Sequence, residues 1–246
     1  GADMPGGRML VETFAQYGAL LVMEDLYGKA QLRRFTKYEL DRYLRSRGSE
    51  LVEELPLARV ENQGYIHYQK GTLVMAWLDE VVGREVVTRA LRRLVSEFAF
   101  KPAPYPSSTD FLRILREEAG PAHDALITDL FEKITLYDLG AKGAKVTRRP
   151  DGKFEVALSV TAAKKYADGK GVETEAPMDE LVEVGVFAAE PGKKGFREED
   201  VLRLEKVRVK TGAATLTLVV DREPRWAGLD PFNRRIDRNS DDNLVK

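Results

Sequence analysis

Glu12 sits in MLVETFAQYGALLVM, residues 9 to 23, as the one acid in an almost wholly apolar run. A carboxylate packed against hydrocarbon without a partner is strongly disfavoured, so its position needs a physical reason. One reason is a place in the first turn of a helix, where a negative charge meets exposed amides and the positive end of the dipole. The other is a cation facing it, with the apolar flank keeping water out. A second group of reactive types lies in GYIHYQKG, residues 64 to 71. Tyr65, His67, Tyr68 and Lys70 bring phenol donors, an imidazole and a positive charge into one loop and helix turn. Tyrosines also plug helix ends for purely structural reasons.

The elements that must position these residues follow from periodicity and punctuation. The opening stretch reads as a helix running to Tyr27 and stopping at Gly28. QLRRFTKYELDRYLRSRG places Leu32, Phe35, Leu40, Tyr43 and Leu44 on one broad face and ends at Gly48. Beyond a link around Pro56, YIHYQKGTLVMAWLDEVVG and REVVTRALRRLVSEFAF form a second helical pair divided at Gly83. Three prolines in KPAPYPSS break the helix, and Ser107 with Asp110 makes a capping box for STDFLRILREEA. Gly120 and Pro121 then separate that helix from PAHDALITDLFEKI. This predicts about six helices before residue 136.

After Gly140 the period changes to two. KFEVALSV sets Phe154, Val156, Leu158 and Val160 against Glu155, Ala157 and Ser159; VLRLEKVRV and ATLTLVVD alternate likewise, and LVEVGVFAA supplies a further apolar run. The turns PDGK, ADGKG, PGKKG and KTGA separate them as in an antiparallel sandwich. A domain boundary is expected near residues 138 to 145, in DLGAKGAK, and the tail from Pro224 reads as polar with one aromatic-rich patch and no strand period.

Composition narrows the function classes. Lysine plus arginine number 39 against 40 acids, so no global field favours nucleic acid or a charged membrane surface. The absence of cysteine removes disulfides, thiolate metal sites and cysteine nucleophiles. With His67 and His123 as the only imidazoles, a zinc site made wholly inside this chain is not expected. No apolar stretch reaches the roughly 20 residues that span a bilayer, and GADMPGGRML lacks the marks of a signal peptide, so the chain is expected to be soluble. Its Gly-rich opening without an initiator methionine looks like that of an excised piece.

ETFAQYGALLVM, followed by Y-x-K-G on a helix and then by EFAFKPAPYPSSTDFLRILRE and LFEKITLYD, resembles the gluzincin zinc peptidases of the M1 aminopeptidase family. Within that family the likeness is to the branch fused to bacterial ABC-2 type permeases, and it extends to WAGLDPFNRRIDRNSDDN at the end of the chain. The resemblance implies an α+β multidomain fold. Residues 1–139 would be the helical C-terminal part of a thermolysin-like catalytic domain, and residues 140–246 an Ig-like antiparallel β-sandwich with a polar tail.

In that family zinc is held by two histidines of His-Glu-x-x-His and by a glutamate about 18 residues further on. Glu12 matches that glutamate, although MLVETFAQ replaces the usual Trp-Leu-Asn-Glu-Gly surroundings. Tyr68 matches the tyrosine whose phenol hydrogen-bonds the oxyanion of the tetrahedral intermediate, with Tyr65 and Lys70 as supporting residues. Neither His-Glu-x-x-His nor the family's Gly-x-Met-Glu-Asn occurs in the sequence. By the resemblance both precede Gly1, so the parent would be a zinc metallopeptidase and this fragment would hold no zinc and cleave no peptide by itself.

The implied partners are a peptide substrate, the remainder of the peptidase domain and a permease membrane domain. The parent would lie in a bacterial cell membrane with its peptidase domain extracytoplasmic. Apolar surface left uncovered in the fragment is expected to drive self-association. The contrasting function is a non-catalytic peptide- or partner-binding module of a transporter. His67 is expected to support the site or lie at the surface, and His123 and RALRRL to form solvated helix faces. DRNSDDN reads as a weak cation-binding turn.

Overall fold

A computed structural model describes Met4 and residues 6–246; Gly1, Ala2, Asp3 and Pro5, and with them part of the Gly-rich opening, lie outside the described residues. The fold is α+β, with helices up to residue 132 and antiparallel strands from Ile134 onward. Contacts divide the chain into two units. The first comprises Gly1–Leu21, Glu39–Thr135 and Ala167–Glu173, the second Val22–Tyr38, Leu136–Tyr166 and Thr174–Lys246.

α1 (Phe14–Tyr27), whose residues up to Leu21 belong to the first unit, is entered through π-helical Met9–Thr13, and α3 (Gly71–Val82) through π-helical Tyr65–Lys70. Between them runs α2 (Leu32–Ser49), whose Leu40 and Tyr43 are wholly buried here. From Gly71 to Leu78 every residue of α3 is buried, which marks it as the central helix, apolar on all sides. It stops at Gly83, whose φ of 89° suits only glycine and lets its amide reach the Asp79 carbonyl at 3.0 Å.

α4 (Arg84–Phe98) and α5 (Ser108–Ala119) follow, the latter opened by the expected capping box of Ser107 and Asp110. The arginines of RALRRL do lie at the surface, but they are engaged. Arg89 pairs with Glu118 at 3.1 Å, and Arg93 with Glu97, Glu117 and Glu118. Such exposed pairs add at most about 1 kcal/mol each. α6 (Asp124–Ile127) runs into π-helical Thr128–Glu132, and Phe111 joins Phe14 to Phe131 through edge contacts at 4.7 and 6.0 Å. This aromatic chain fixes the start of α1 against α5.

The second unit holds two four-stranded sheets. One contains β1 (Ile134–Arg148), β2 (Phe154–Ala167), β3 (Glu173–Ala176) and β6 (Gly212–Val220), with β6 beside β2 in antiparallel register, Val156 opposite Leu218 and Leu158 opposite Leu216. The other runs in the order β5 (Val201–Lys210), β4 (Asp179–Phe187), β7 (Trp226–Leu229), β8 (Leu244–Val245). The expected alternation holds in β2, where Val156, Leu158 and Val160 are buried and Ser159 is exposed. Glu180 of β4 accepts hydrogen bonds from Lys164 of β2 at 2.6 Å and Tyr137 of β1 at 2.8 Å, a polar link from one sheet to the other.

Two expectations need correction. The boundary expected in DLGAKGAK lies within β1, while contacts divide the chain nearby, between Thr135 and Leu136. The glycines and alanines of DLGAKGAK lowered the apparent hydrophobicity of a segment held by backbone pairing. The tail from Pro224 does contain strands. It contributes β7 and β8, and Arg235, Asp237 and Asn243 are essentially inaccessible. Arg235 donates to the Leu181 carbonyl at 2.7 Å, and buried Arg33 to the Pro231 carbonyl and Asn233 Oδ1, each at 2.7 Å. Polar side chains with internal partners made this segment look exposed in the sequence. No helix of the described residues is long and apolar enough to cross a membrane.

Candidate active site

Glu12 and Tyr68 come together. Both are half-buried, and the Glu12 carboxylate faces the Tyr68 phenol closely enough to act on its proton. Glu12 as a hydrogen-bond acceptor, then burial and the Glu12 charge, raise the Tyr68 pKa above its usual 10.0. Each residue sits in a π-helical turn at the entrance to a helix. The extra residue of a π-turn re-aims the side chains that follow, and such turns are frequent at functional sites.

What holds the two turns in register is a contact one residue from each. Buried Thr13 donates its hydroxyl to the backbone carbonyl of His67 at 2.7 Å. A Cβ at Gly71 would overlap the hydroxyl and methyl of Thr13. The glycine of Y-x-K-G is therefore the position that lets the two helix entrances approach so closely.

His67 is buried, at 6% exposure, so of its two expected placements the surface one does not hold. Its ring meets Tyr68 edge-on at 4.5 Å, and its Nδ1 has no hydrogen-bond partner among the described residues. Burial lowers its pKa below 6.5 against the opposing pull of Glu12, so the ring next to Tyr68 favours the neutral form. His123 is part-buried, with Nδ1 2.8 Å from the Ala119 carbonyl oxygen.

Tyr65 and Lys70 belong to a different cluster. Residues two apart on a helix do not share a face, and Lys70 points away from the Tyr68 side. Lys70, 1% exposed, lies 3.3 Å from Glu54 Oε1, which also accepts the Tyr43 hydroxyl at 2.5 Å; Arg47 Nε donates to the other oxygen at 2.7 Å. Burial pushes the Lys70 pKa down and the Glu54 charge opposes it. Tyr65 stacks on Tyr43 at 6.0 Å, and burial followed by the charge of Glu54 raises its pKa. The two supporting residues thus brace the loop before α3, where the Glu54 amide also donates to the Gly169 carbonyl at 2.8 Å.

Sequence reasoning missed Glu54, Tyr43, Thr13 and the burial of His67. The signal at Glu54 was present, because ELPLA places an acid against apolar residues just as ETFA does for Glu12. The pairing across the fold was not readable from spacing.

As a metal centre the arrangement supplies one corner. Among the described residues no group of three or more His, Cys, Asp and Glu side chains is placed to hold a metal. A carboxylate is a suitable zinc donor, and the phenol beside it is a neutral donor that keeps its proton at neutral pH. Glu12 and Tyr68 therefore fit the chemistry of one ligand and one hydrogen-bond donor, and other ligands would have to complete the sphere.

No protein-family model matches the chain, and no curated protein matches it. Among solved structures it is similar to Legionella pneumophila aminopeptidase A in complex with aspartic acid. The two are 15% identical with a TM-score of 0.48 over 92% of this chain, and this chain spans 23% of the length of that one. A likeness at this level says nothing of activity.

Proposed function

We propose that this chain is the C-terminal part of a zinc-dependent, M1-like metallopeptidase, in which Glu12 is an acidic zinc ligand and Tyr68 the donor to the oxyanion. The observation that carries this reading is that the two π-helical turns bearing Glu12 and Tyr68 are joined by the Thr13–His67 hydrogen bond at 2.7 Å, which brings the carboxylate to the phenol. The imidazole ligands would come from a His-Glu-x-x-His segment outside these 246 residues, and the peptidase would be attached to an ABC-2 type permease in a bacterial membrane, on its extracytoplasmic side.

Zinc, when bound, polarises a peptide carbonyl and makes a nucleophile of water near neutral pH. The chain's own residues do the rest. Glu12 contributes negative charge from a helix entrance. Tyr68 keeps its proton because its pKa lies above 10.0, and it can turn its hydroxyl from Glu12 to a carbonyl oxygen on which negative charge develops. His67 and the Thr13–Gly71 contact hold that phenol in place.

Apolar surface supports a covering domain. Val11 is 52% exposed, and Ala15, Gly18 and Ala19 continue an exposed small and apolar face on the helix that bears Glu12. Without that cover the 246-residue chain is expected to bind zinc weakly and to hydrolyse nothing.

The test is hydrolysis of aminoacyl and short peptide substrates by the natural protein that contains this chain, with chelation and zinc add-back. Tyr68→Phe should lower kcat by about 10²–10³ with little change in KM, as for loss of one oxyanion donor. A wild-type kcat in that variant ends the role given to Tyr68. A natural protein that neither holds zinc nor cleaves peptides makes the non-catalytic binding module the better reading.

A further inference from the structure

The second unit holds a cleft of about 560 Å³ beside the start of α2. Arg33, Arg34 and Lys37 of α2 line it, together with Lys193 from the loop between β4 and β5, Trp226 of β7 and Leu244 of β8. None of them takes part in the chemistry proposed for Glu12 and Tyr68, which belong to the first unit. The cations stand against the local field. Arg33 and Arg34 occupy the first turn of α2, which contains no acid, although the positive end of a helix dipole favours negative charge there. Glu198 reaches this entrance, but it accepts the Ala30 amide at 3.0 Å and does not line the cleft.

The partners these cations do have leave room for a ligand. Arg34 is exposed and makes no hydrogen bond or ion pair among the described residues. Lys37 lies 3.1 Å from Asp241 and Lys193 3.5 Å from Glu190, but Asp241 and Lys193 are largely exposed, and such pairs exchange partners at little cost. Buried Arg33 is fixed in the wall by the carbonyls of Pro231 and Ser240, and Gly192 packs on its stem, where a Cβ would lie 3.0 Å from Arg33 Cδ. With Glu190 and Asp241 counted, the lining carries four positive charges against two negative. Trp226 and Leu244 supply its apolar part; both are part-buried and pack on the core cluster of Phe187, Phe196 and Phe232.

We propose that this cleft binds a phosphorylated small molecule with a planar or apolar body, its phosphoryl oxygens on Arg34, Lys37 and Lys193 and its body on Trp226. The excess positive charge matches a phosphoryl group, which carries about −1.5 to −2 near neutral pH and offers three strong acceptor oxygens. A single carboxylate, with one charge and two oxygens, matches it less well. The volume suits a small molecule, since such sites commonly enclose about 300–1,000 Å³. An indole beside several cations can hold a planar ring while the cations hold its charged end.

The 246-residue chain is titrated by calorimetry in magnesium-free buffer with ADP, inorganic pyrophosphate and citrate as probes. ADP should bind at one equivalent per chain and more tightly than citrate. Arg34→Gln, at an exposed position, should weaken ADP binding by about tenfold. Trp226→Leu should weaken ADP binding by about fivefold or more and leave pyrophosphate unchanged. Asp241→Asn should tighten the binding of both by removing a competing carboxylate, while Glu12→Gln should alter neither. If Trp226→Leu folds poorly, tryptophan emission of the unaltered chain replaces it: ADP should quench it and pyrophosphate should not, because Trp77 is 1% exposed and out of reach. No saturable ADP binding up to about 10 mM, citrate bound as tightly as ADP, or ADP binding that Arg34→Gln leaves intact overturns the proposal.

Discussion

Thr13 donates to the carbonyl oxygen of His67 at 2.7 Å, so the turn that carries Glu12 is bolted to the turn that carries Tyr68 one residue away from each. Thr13→Val keeps the shape and removes the donor, leaving a buried carbonyl without its partner. Urea denaturation should show a loss of about 1–3 kcal/mol, and Thr13→Ser should recover most of it. An unchanged midpoint in Thr13→Val would show that the bolt contributes nothing.

Gly71→Ala should overpack the same junction and cost about 1–3 kcal/mol. The added methyl lands on the Thr13 side chain, so Thr13→Ala should partly rescue it. A double-mutant cycle by chemical denaturation should therefore give less than the sum of the two single losses. Strict additivity would contradict the close approach.

Glu54 holds buried Lys70, half-buried Arg47 and a phenol, and the cluster should be harder to break than to replace. Glu54→Gln leaves Lys70, 1% exposed, without its counter-charge and should cost about 3–5 kcal/mol. Changing Lys70→Met in the same chain should recover part of that loss. If Glu54→Gln costs no more than an exposed pair does, the cluster is not the brace inferred for the loop before α3.

Alkaline pH gives a further check. Burial raises the pKa of Tyr17, Tyr43 and Tyr65 above 10.0, so the stability tied to their protonated forms is complete below pH 10 and is lost as pH rises through and beyond it. Lys70, lowered from 10.5, acts in the opposite direction but is a single group. Unfolding free energy should fall above about pH 10, with phenolate absorbance appearing together with unfolding. Tyr43→Phe should flatten that fall. Phenolate absorbance from all nine tyrosines at about pH 10 in the folded chain would contradict their burial.

Much of the architecture could be read from punctuation. Gly28, Gly83, the Ser107–Asp110 box and Gly120 mark helix ends where the structure places them, because each reports a local backbone requirement. The alternation in KFEVALSV likewise marks β2. What stayed hidden was set by distant partners. β1 showed no strand period because of its glycines and alanines, and the tail read as polar because Arg235, Asp237 and Asn243 are polar although buried. At the site, the residues alone left Glu12 and Tyr68 open to purely structural roles, and only the family resemblance paired them. That Lys70 serves Glu54 depends on a side chain 16 residues away, and the π-turns that aim both candidates have no sequence signature of their own.

The central claim is that Glu12 is a metal ligand and not merely a charge at a helix entrance. The most direct measurement is the zinc content, per chain, of the natural protein that contains these residues, compared with its Glu12→Gln variant at equal folded fraction. One zinc per chain in the parent, lost on mild dialysis from Glu12→Gln but retained by Tyr68→Phe, is the expected result. Equal zinc retention in the parent and Glu12→Gln would contradict it.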